Sequence, residues 1–258
     1  MIENNHTTEP YPRIRHATRD VLRASRRKPM IHSLAEIDVT EVRRSLRKAG
    51  KEQGEALSFT AFVISCCARA VGRNPHVHAY RDLRNRLVLF DDVDVSTPVE
   101  RLVEGKNQVV PTIVRSANGK SVREISRELT AARSAPLEKA GVFSSMALYL
   151  AIPPFVRRLV FRLLDRMPML MKKRAGTMMV TSVGMYGGGA GWGVPVASHT
   201  LNVTVGGIVV RPRVVEGHLE EREHLCLTLS FDHDIVDGAP AARYLHRLRR
   251  LLEKEQLF

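Results

Sequence analysis

Cysteine is scarce in this sequence, and its placement argues against two kinds of stabilising chemistry. The chain has three cysteines, Cys66, Cys67 and Cys226. The first two are neighbours, which rarely form a disulfide with each other. No spacing typical of a zinc site is present. We therefore expect buried, reduced thiols, as in a cytoplasmic protein.

Long apolar runs are also missing. The N-terminal stretch MIENNHTTEPYPRIRHATRD contains no apolar core of a signal peptide. No window reaches about 18 uncharged apolar residues, the length that a membrane-spanning helix needs. The sequence therefore predicts neither a cleaved signal nor a transmembrane segment.

Motifs for nucleic-acid binding are absent, although the formal net charge is +13. We find no zinc finger, no RNP-type aromatic motif and no clear helix-turn-helix, so no nucleic acid is expected as a partner. The charge instead favours another anionic partner, such as nucleotide phosphates, a membrane surface or an acidic protein.

Helical and strand patterns follow one another without a strict strand–helix–strand repeat. The helix at 57–72 is apolar on nearly all sides, so we expect it to be buried. The order of elements predicts an α/β (α+β) protein with a mixed β-sheet flanked by helices, rather than a Rossmann fold. Residues 1–12 are predicted to be a flexible arm and residues 13–258 a single domain. Helices are predicted over 13–27, 41–52, 57–72, 120–133 and 240–254, and strands over 30–38, 87–95, 109–113, 178–183, 200–210 and 225–230.

The segment LSFDHDIVDGA at 229–239 carries the strongest chemical signal. His233 directly follows an apolar strand pattern, and a neutral imidazole there can accept a proton near physiological pH. Asp237 can fix the loop by pairing with a cation, and Gly238 can take a positive φ in the turn. Taken alone, this pattern also fits an ordinary turn histidine.

Several segments resemble the catalytic core of the 2-oxoacid dehydrogenase dihydrolipoamide acyltransferases. SFDHDIVDGAPAARYLHRLRRLLE looks like the C-terminal signature of that family, and chloramphenicol acetyltransferase shares its His-x-x-x-Asp-Gly pattern. GTMMVTSVGMYG at 176–187, the stretch 96–129 and the stretch 57–79 resemble three further family segments in the right order. The resemblance covers roughly residues 13–258 and implies a chloramphenicol acetyltransferase-like two-layer fold.

The resemblance also implies an activity, acyl transfer that depends on coenzyme A (CoA). His233 would take a proton from the thiol of CoA or of a dihydrolipoyl group, and the thiolate would attack a thioester carbonyl. Thr181 would donate a hydrogen bond to the developing oxyanion. Ser182, which would point to the opposite face of a strand, is the alternative hydroxyl. Ser182, Gly184 and Gly238 are expected to contact CoA.

A third catalytic residue and an assembly follow from the same resemblance. Asp237 would fix the imidazole through an ion pair with an arginine, with Arg15, Arg19 and Arg23 as candidates. The active site would lie between the subunits of a trimer, with the histidine and the hydroxyl on different chains.

Three features depart from the family pattern, and the first two are a missing domain and a changed charge. No lipoyl domain precedes the core in this sequence, so a lipoyl carrier protein is expected to act in trans. Asp234 stands where the family usually has arginine or lysine, which changes the charge beside His233.

The third departure is an insertion-like, basic amphipathic segment at about 146–175. It predicts a helix that contacts an anionic membrane surface, or a lid or intersubunit helix with a buried apolar face and solvated arginines. The apolar side comprises Phe155, Val156, Leu159, Val160, Leu163 and Leu164, and the charged side comprises Arg157, Arg158, Arg162, Asp165 and Arg166.

A glycine-rich stretch and scattered histidines complete the candidate sites. The loop YGGGAGWGV at 186–194 lacks the spacing of a nucleotide cradle, and predicts either close approach of a ligand or a mobile loop. His76, His78 and His199 form no metal-ligand pattern with nearby carboxylates, so no metal is expected.

Two alternative functions stay open at this point. The same base and hydroxyl would serve an acyl-CoA-dependent O- or N-acyltransferase that acts on a small molecule. A non-catalytic trimeric scaffold, or a membrane-associated binding protein, is the alternative outside catalysis.

Overall fold

Helices and strands follow one another in the computed structural model, which describes residues 6–11, 14–53, 57–103, 106–134, 151–184 and 188–254. The helices are α1 (Ile14–Ser25), α2 (Thr40–Gln53), α3 (Phe59–Val71), α4 (Val122–Ser134), α5 (Pro154–Leu164), α6 (Pro168–Ala175) and α7 (Gly238–Leu252). The strands are β1 (Met30–Asp38), β2 (Tyr80–Arg81), β3 (Leu87–Val88), β4 (Val95–Val103), β5 (Lys106–Val114), β6 (Met178–Ser182), β7 (Leu201–Val215) and β8 (His218–Asp232).

One mixed sheet organises the fold. Its strand order is β1-β8-β7-β6-β4-β5, and β2 pairs with β3 in a separate two-stranded sheet. Strand β6 runs parallel to both β4 and β7, whereas the other pairs in the large sheet are antiparallel. The predicted mixed sheet with flanking helices is therefore confirmed.

The main hydrophobic core lies between one face of this sheet and helices α3 and α7. Leu227, Leu229 and Phe231 alternate along β8 and are fully buried. Phe231 meets the ring of Tyr244 on α7 edge-on, with ring centroids 5.9 Å apart. Burying each such side chain contributes about 1.5–3 kcal/mol, so this face holds the sheet to its helices. Helix α3 is buried on nearly all sides, as its sequence predicts.

Cys66 and Cys67 on α3 lie within this interior, and Cys226 lies on the other face of β8. All are buried and free, which confirms the prediction of buried thiols. Burial raises the pKa of the Cys67 thiol to about 12, and the Tyr244 hydroxyl donates a hydrogen bond to the Cys67 carbonyl oxygen at 3.1 Å. Such thiols are protonated at neutral pH and are poor nucleophiles.

The opposite face of the sheet carries polar side chains. Thr204 on β7 and Thr228 on β8 are buried, and neither hydroxyl oxygen has a hydrogen-bond partner among the described residues. Trp192 donates its indole N–H to the carbonyl oxygen of Ala35 on β1 at 3.3 Å. We call this surface the polar sheet face.

One predicted strand differs from the structure, and one predicted segment lies partly outside the described residues. The strand predicted over 87–95 is wrong for residues 89–94, which lie between β3 and β4. Aspartate is unfavourable in strands, and the buried Asp94 carboxylate instead accepts hydrogen bonds from the Arg115 side chain at 2.7 Å and the Ser116 N–H at 2.9 Å. The predicted segment 146–174 contains α5 and α6, but its residues 146–150 lie outside the described part of the chain.

Within a single chain, the apolar side of helix α5 faces outward, which differs from a lid helix with a buried apolar face, while an intersubunit contact stays a prediction. Arg157 is buried and forms an ion pair of 3.2 Å with Asp20 on α1, although a solvated arginine was expected. Phe155 is 72% exposed, and Leu159 and Leu163 are exposed as well. Among the helices in the described ranges, none has the length and apolarity needed to cross a membrane.

Glycines 206 and 207 form an irregularity in β7, where the pairing register with β8 shifts between Val205 and Ile208. The Gly207 N–H donates to the Gly191 carbonyl oxygen at 3.0 Å, so the glycine-rich loop packs directly on the strand. A Cβ at Gly206 would overlap this same carbonyl oxygen. The close approach of the loop thus requires glycine at Gly206 and Gly207 of β7, while residues 186–187 of the loop lie outside the described residues.

We expect Gly206→Ala to lower the free energy of unfolding by about 3 kcal/mol, because its Cβ has no space beside two backbone carbonyls. Urea-induced unfolding followed by circular dichroism measures the change. The matched control is Gly119→Ala, whose Cβ would meet no atom within 4 Å and should change stability by less than about 1 kcal/mol. Equal stabilities for the two variants would contradict this packing.

Candidate active site

His233 lies on a tight turn between β8 and α7. Its backbone N–H donates to the Pro29 carbonyl oxygen at 2.8 Å, and its side chain is 44% exposed. The carbonyl oxygen of Asp232 accepts from the N–H groups of Ile235 and Val236 at 3.1 and 2.9 Å. The imidazole therefore stands on a well-anchored backbone and reaches solvent, which a proton acceptor for a diffusing thiol requires.

Asp237 lies close to this imidazole but is not tightly bonded to it. Its Oδ1 is 3.8 Å from His233 Nδ1, and its side chain is 85% exposed. It directly precedes α7, where the helix dipole favours a carboxylate. The predicted ion pair with Arg15, Arg19 or Arg23 does not form within the described residues of a single chain.

The predicted positive φ of Gly238 is wrong. Gly238 is the first residue of α7 and has ordinary helical backbone, with open space where a Cβ would stand. The turn instead closes through the Asp232 backbone, so the glycine is not needed for a left-handed conformation.

The acidic residue next to His233 has a partner. Asp234 is exposed and lies 3.5 Å from Nη2 of Arg81, which follows Tyr80 in β2. Arg81 thus offsets part of the negative charge that Asp234 brings to the turn, at the modest strength of an exposed ion pair.

Thr181 and Ser182 occupy opposite faces of β6. Thr181 pairs with Thr204 and lies on the polar sheet face, whereas Ser182 pairs with Val205 and lies on the helix side. Gly184 is packed so closely that a Cβ there would overlap the Gly206 carbonyl oxygen. Backbone packing thus accounts for Gly184 without a ligand.

One chain does not bring Thr181 and His233 together. Thr181 is level with Thr204, which is level with Thr228, and His233 lies five residues beyond Thr228. The offset is about 17 Å along the strands and about 10 Å across two interstrand spacings. The two groups are therefore about 20 Å apart within a single chain.

Two buried histidines near the sheet differ from His233. Burial lowers the pKa of both His78 and His199 to about 4, so both are neutral near pH 7. His199 Nε2 contacts the Ala175 carbonyl oxygen at 2.9 Å, and His78 Nδ1 contacts the Thr177 hydroxyl at 3.0 Å. Within the described ranges, no group of three or more metal-ligating side chains comes together.

Sequence reasoning missed the ionic contacts behind the histidine turn. Lys28 Nζ lies 3.3 Å from Asp232 and 3.7 Å from Asp165, which follows α5. His32 on β1 also contacts the Ser230 hydroxyl at 2.8 Å beside the turn. Because these residues are far apart in the sequence, no local motif predicts their contact.

Solved structures identify the class of this fold. A structure of Azotobacter vinelandii dihydrolipoamide acetyltransferase, from a study of a serine, a histidine and an asparagine in its catalytic mechanism, aligns with a TM-score of 0.70 at 20% identity, covering 98% of this chain and 94% of that chain. A chloramphenicol acetyltransferase aligns with a TM-score of 0.53 at 14% identity, covering 94% and 96% of the two chains. The fold is thus the one that these two acyltransferases share.

The comparison of the amino-acid sequence with known families identifies the family of this chain. It matches the 2-oxoacid dehydrogenases acyltransferase (catalytic domain) family over residues 3–140 and 159–258, and the chain belongs to this family. It is 25% identical over 241 residues to the dihydrolipoyllysine-residue acetyltransferase component of the pyruvate dehydrogenase complex of Bacillus subtilis, covering 89% of this chain and 46% of that protein. The chain thus spans about half the length of this relative.

Proposed function

We propose that this chain is a CoA-dependent acyltransferase that moves an acyl group between CoA and a thiol such as dihydrolipoyl, with His233 as the general base. The observation that carries the proposal is an exposed imidazole fixed by the Pro29 carbonyl at the end of β8, in a member of an acyltransferase family. The fully buried cysteines leave His233 as the better acid–base candidate.

The spacing of catalytic groups in the Azotobacter relative supports the same residues. Its serine precedes its histidine by the same number of residues as Thr181 precedes His233. Its asparagine follows the histidine by four residues, as Asp237 follows His233. Asp237 and that asparagine can both orient a neighbouring group, so we propose a positioning role for Asp237 rather than proton transfer.

The proposed reaction needs a base and an oxyanion donor. His233 takes the proton of the attacking thiol, and the thiolate sulfur forms a bond to the thioester carbonyl carbon. The Thr181 hydroxyl donates a hydrogen bond to the oxyanion of the tetrahedral intermediate. Collapse breaks the other carbon–sulfur bond, and the departing thiolate takes the proton back from the His233 imidazolium.

We propose that this site is shared between two subunits of a trimer. The separation of about 20 Å between Thr181 and His233 in one chain is too large for both to touch one carbonyl group. A second chain that places its Thr181 beside His233 would complete the site. The exposed Asp237 carboxylate would be free to meet an arginine of that chain.

The substrates are proposed from chemistry rather than from a bound ligand. A net charge of +13 complements the phosphates of CoA. The contacts of Ser182, Gly184 and Gly238 with CoA stay predictions. At position 184, close packing against Gly206 requires a glycine whether or not CoA binds there. A lipoyl group would come in trans from a domain outside these residues. The cytoplasmic location also stays a prediction.

Two alternatives share most of the proposed machinery. A small-molecule O- or N-acyltransferase would use the same base, and the chloramphenicol acetyltransferase fold is its support. A non-catalytic trimeric scaffold would not need an exposed imidazole. Acyl transfer from acetyl-CoA to dihydrolipoamide, to small alcohols and to small amines separates the three.

Replacing His233 by glutamine should lower kcat by about 10²–10⁴-fold, the typical contribution of general-base catalysis. Thr181→Val should lower kcat by about 10²–10³-fold, because an oxyanion donor is lost. Steady-state kinetics with acetyl-CoA and dihydrolipoamide measure both effects.

Two control variants accompany these measurements. Thr181→Ser keeps the hydroxyl and should retain most of the activity. Ser182→Ala should have little effect on kcat because Ser182 faces the helix side, whereas loss of its predicted CoA contact would raise the KM for CoA. A large loss in Ser182→Ala with a normal Thr181→Val variant would transfer the oxyanion role to Ser182. Full activity of His233→Gln would refute the proposed base.

Mixing the two inactive variants tests whether the site is shared. Chains with His233→Ala and chains with Thr181→Val, co-refolded in equal amounts, should regain roughly a quarter of wild-type activity, because random trimers pair intact groups at that frequency. Each variant refolded alone is the control. No recovery in verified mixed trimers would show that each site is built from one chain.

A second candidate role concerns α5, and we propose it as a peripheral contact with an anionic membrane surface. The exposed Phe155, Leu159 and Leu163 form its apolar side. Exposed Arg158 and Lys173 lie on the same segment as these side chains. This pattern of apolar and cationic residues is typical of interfacial helices.

The protein should therefore float with vesicles that contain anionic phospholipid, and less at high salt. Phe155→Ser combined with Leu159→Ser should abolish flotation, because the apolar face is lost. Leu83→Ser, at another exposed leucine, is the matched control. If the wild-type protein does not float, the proposed membrane contact is wrong, and contact with another subunit is the remaining role for this apolar face.

A further inference from the structure

A single lysine lies between two carboxylates behind the histidine turn. Lys28 Nζ is 3.3 Å from Asp232 Oδ2 and 3.7 Å from Asp165 Oδ1. The side chains of Lys28 and Asp232 are 12% and 5% exposed. The ammonium group also lies 5.9 Å from the ring centroid of the buried Tyr80. The ammonium group is thus fixed by two carboxylates and by the ring of Tyr80.

Asp232 transmits this contact to His233. One carboxylate oxygen of Asp232 meets Lys28, and the other accepts the Asp234 N–H at 3.2 Å, on the far side of His233. The residue after Lys28, Pro29, accepts the His233 N–H through its carbonyl oxygen. Residues 28 and 29 therefore hold the histidine backbone from both sides.

Asp165 connects the same lysine to α5. It directly follows the helix, and its pKa is raised by burial and by the nearby Asp232, while Lys28 opposes the rise. Without the lysine, two partly buried carboxylates would face each other, and repulsion would displace the turn or force one of them to protonate. The lysine therefore joins the turn to a segment that begins in the part of the chain, 141–158, outside the family match.

We propose that Lys28 is a positioning residue for His233, and that Asp165 couples the placement of α5 to the catalytic turn through the same ammonium group. This inference rests on the proposed function for its kinetic consequence. Its structural content, a turn fixed by Lys28, does not depend on any activity.

The kinetic test compares Lys28→Met with Lys28→Arg. Lys28→Met should lower kcat by roughly 10–100-fold, because small displacements of a catalytic group are costly, while the KM for CoA stays within about threefold. Lys28→Arg retains the cation and should recover most of the loss. Lys48→Met, which removes an exposed lysine paired with Glu52, is the matched control and should leave both constants unchanged.

A readout independent of activity uses amide hydrogen exchange. The His233 and Val236 amides should exchange at least about tenfold faster in Lys28→Met than in wild-type protein, because local opening becomes easier. Asp165→Asn, a milder change at a more exposed group, should accelerate the same amides less. If Lys28→Met does not fold, Asp165→Asn and its double variant with Lys28→Arg supply the comparison.

The outcomes separate this inference from the proposed function. Faster exchange at the turn together with a lower kcat supports the positioning role. Unchanged exchange, or an unchanged kcat despite faster exchange, overturns it. If wild-type protein transfers no acyl group, the proposed function fails, and the exchange of the His233 amide alone decides whether Lys28 fixes the turn.

Discussion

The pairing register of β6, β7 and β8 determines where each proposed catalytic group lies. It places Thr181 level with Thr204 and Thr228, and it leaves His233 beyond the opposite end of the sheet. Backbone hydrogen bonds fix this offset, and a slip by one residue would turn the buried leucines of β8 to the other face. The proposal of a site shared between subunits rests on this sheet geometry.

One face of the sheet forms the hydrophobic core, and the other carries the polar side chains, including the proposed oxyanion donor Thr181. Leu227, Leu229 and Phe231 bury one face against α3 and α7, while Thr204 and Thr228 give the other face its polar character. Hydroxyl groups that are buried without partners cost free energy, about 1–3 kcal/mol each. These two hydroxyls lie on the same face of the sheet as Thr181.

The sequence predicts well whatever depends on local pattern. Alternating apolar residues predict β8, and continuous apolar character predicts the buried α3. A histidine directly after a strand pattern predicts the turn of His233. Local patterns do not predict contacts between distant segments, such as the ion pair of Arg157 with Asp20 and that of Lys28 with Asp232. A helical pattern shows which residues share a side of α5, but it does not show which side meets the protein.

Ion pairs attach both ends of α5 to the rest of the chain. Arg157 near its start meets Asp20, and Asp165 after its end meets Lys28. Buried ion pairs add little net stability against apolar packing, yet they fix orientation, because a mispaired buried charge is costly. The arrangement therefore holds the helix in one orientation while its apolar side stays outward. A helix fixed in this way can present an apolar surface to a partner and, through Lys28, carry the effect of that contact to the His233 turn.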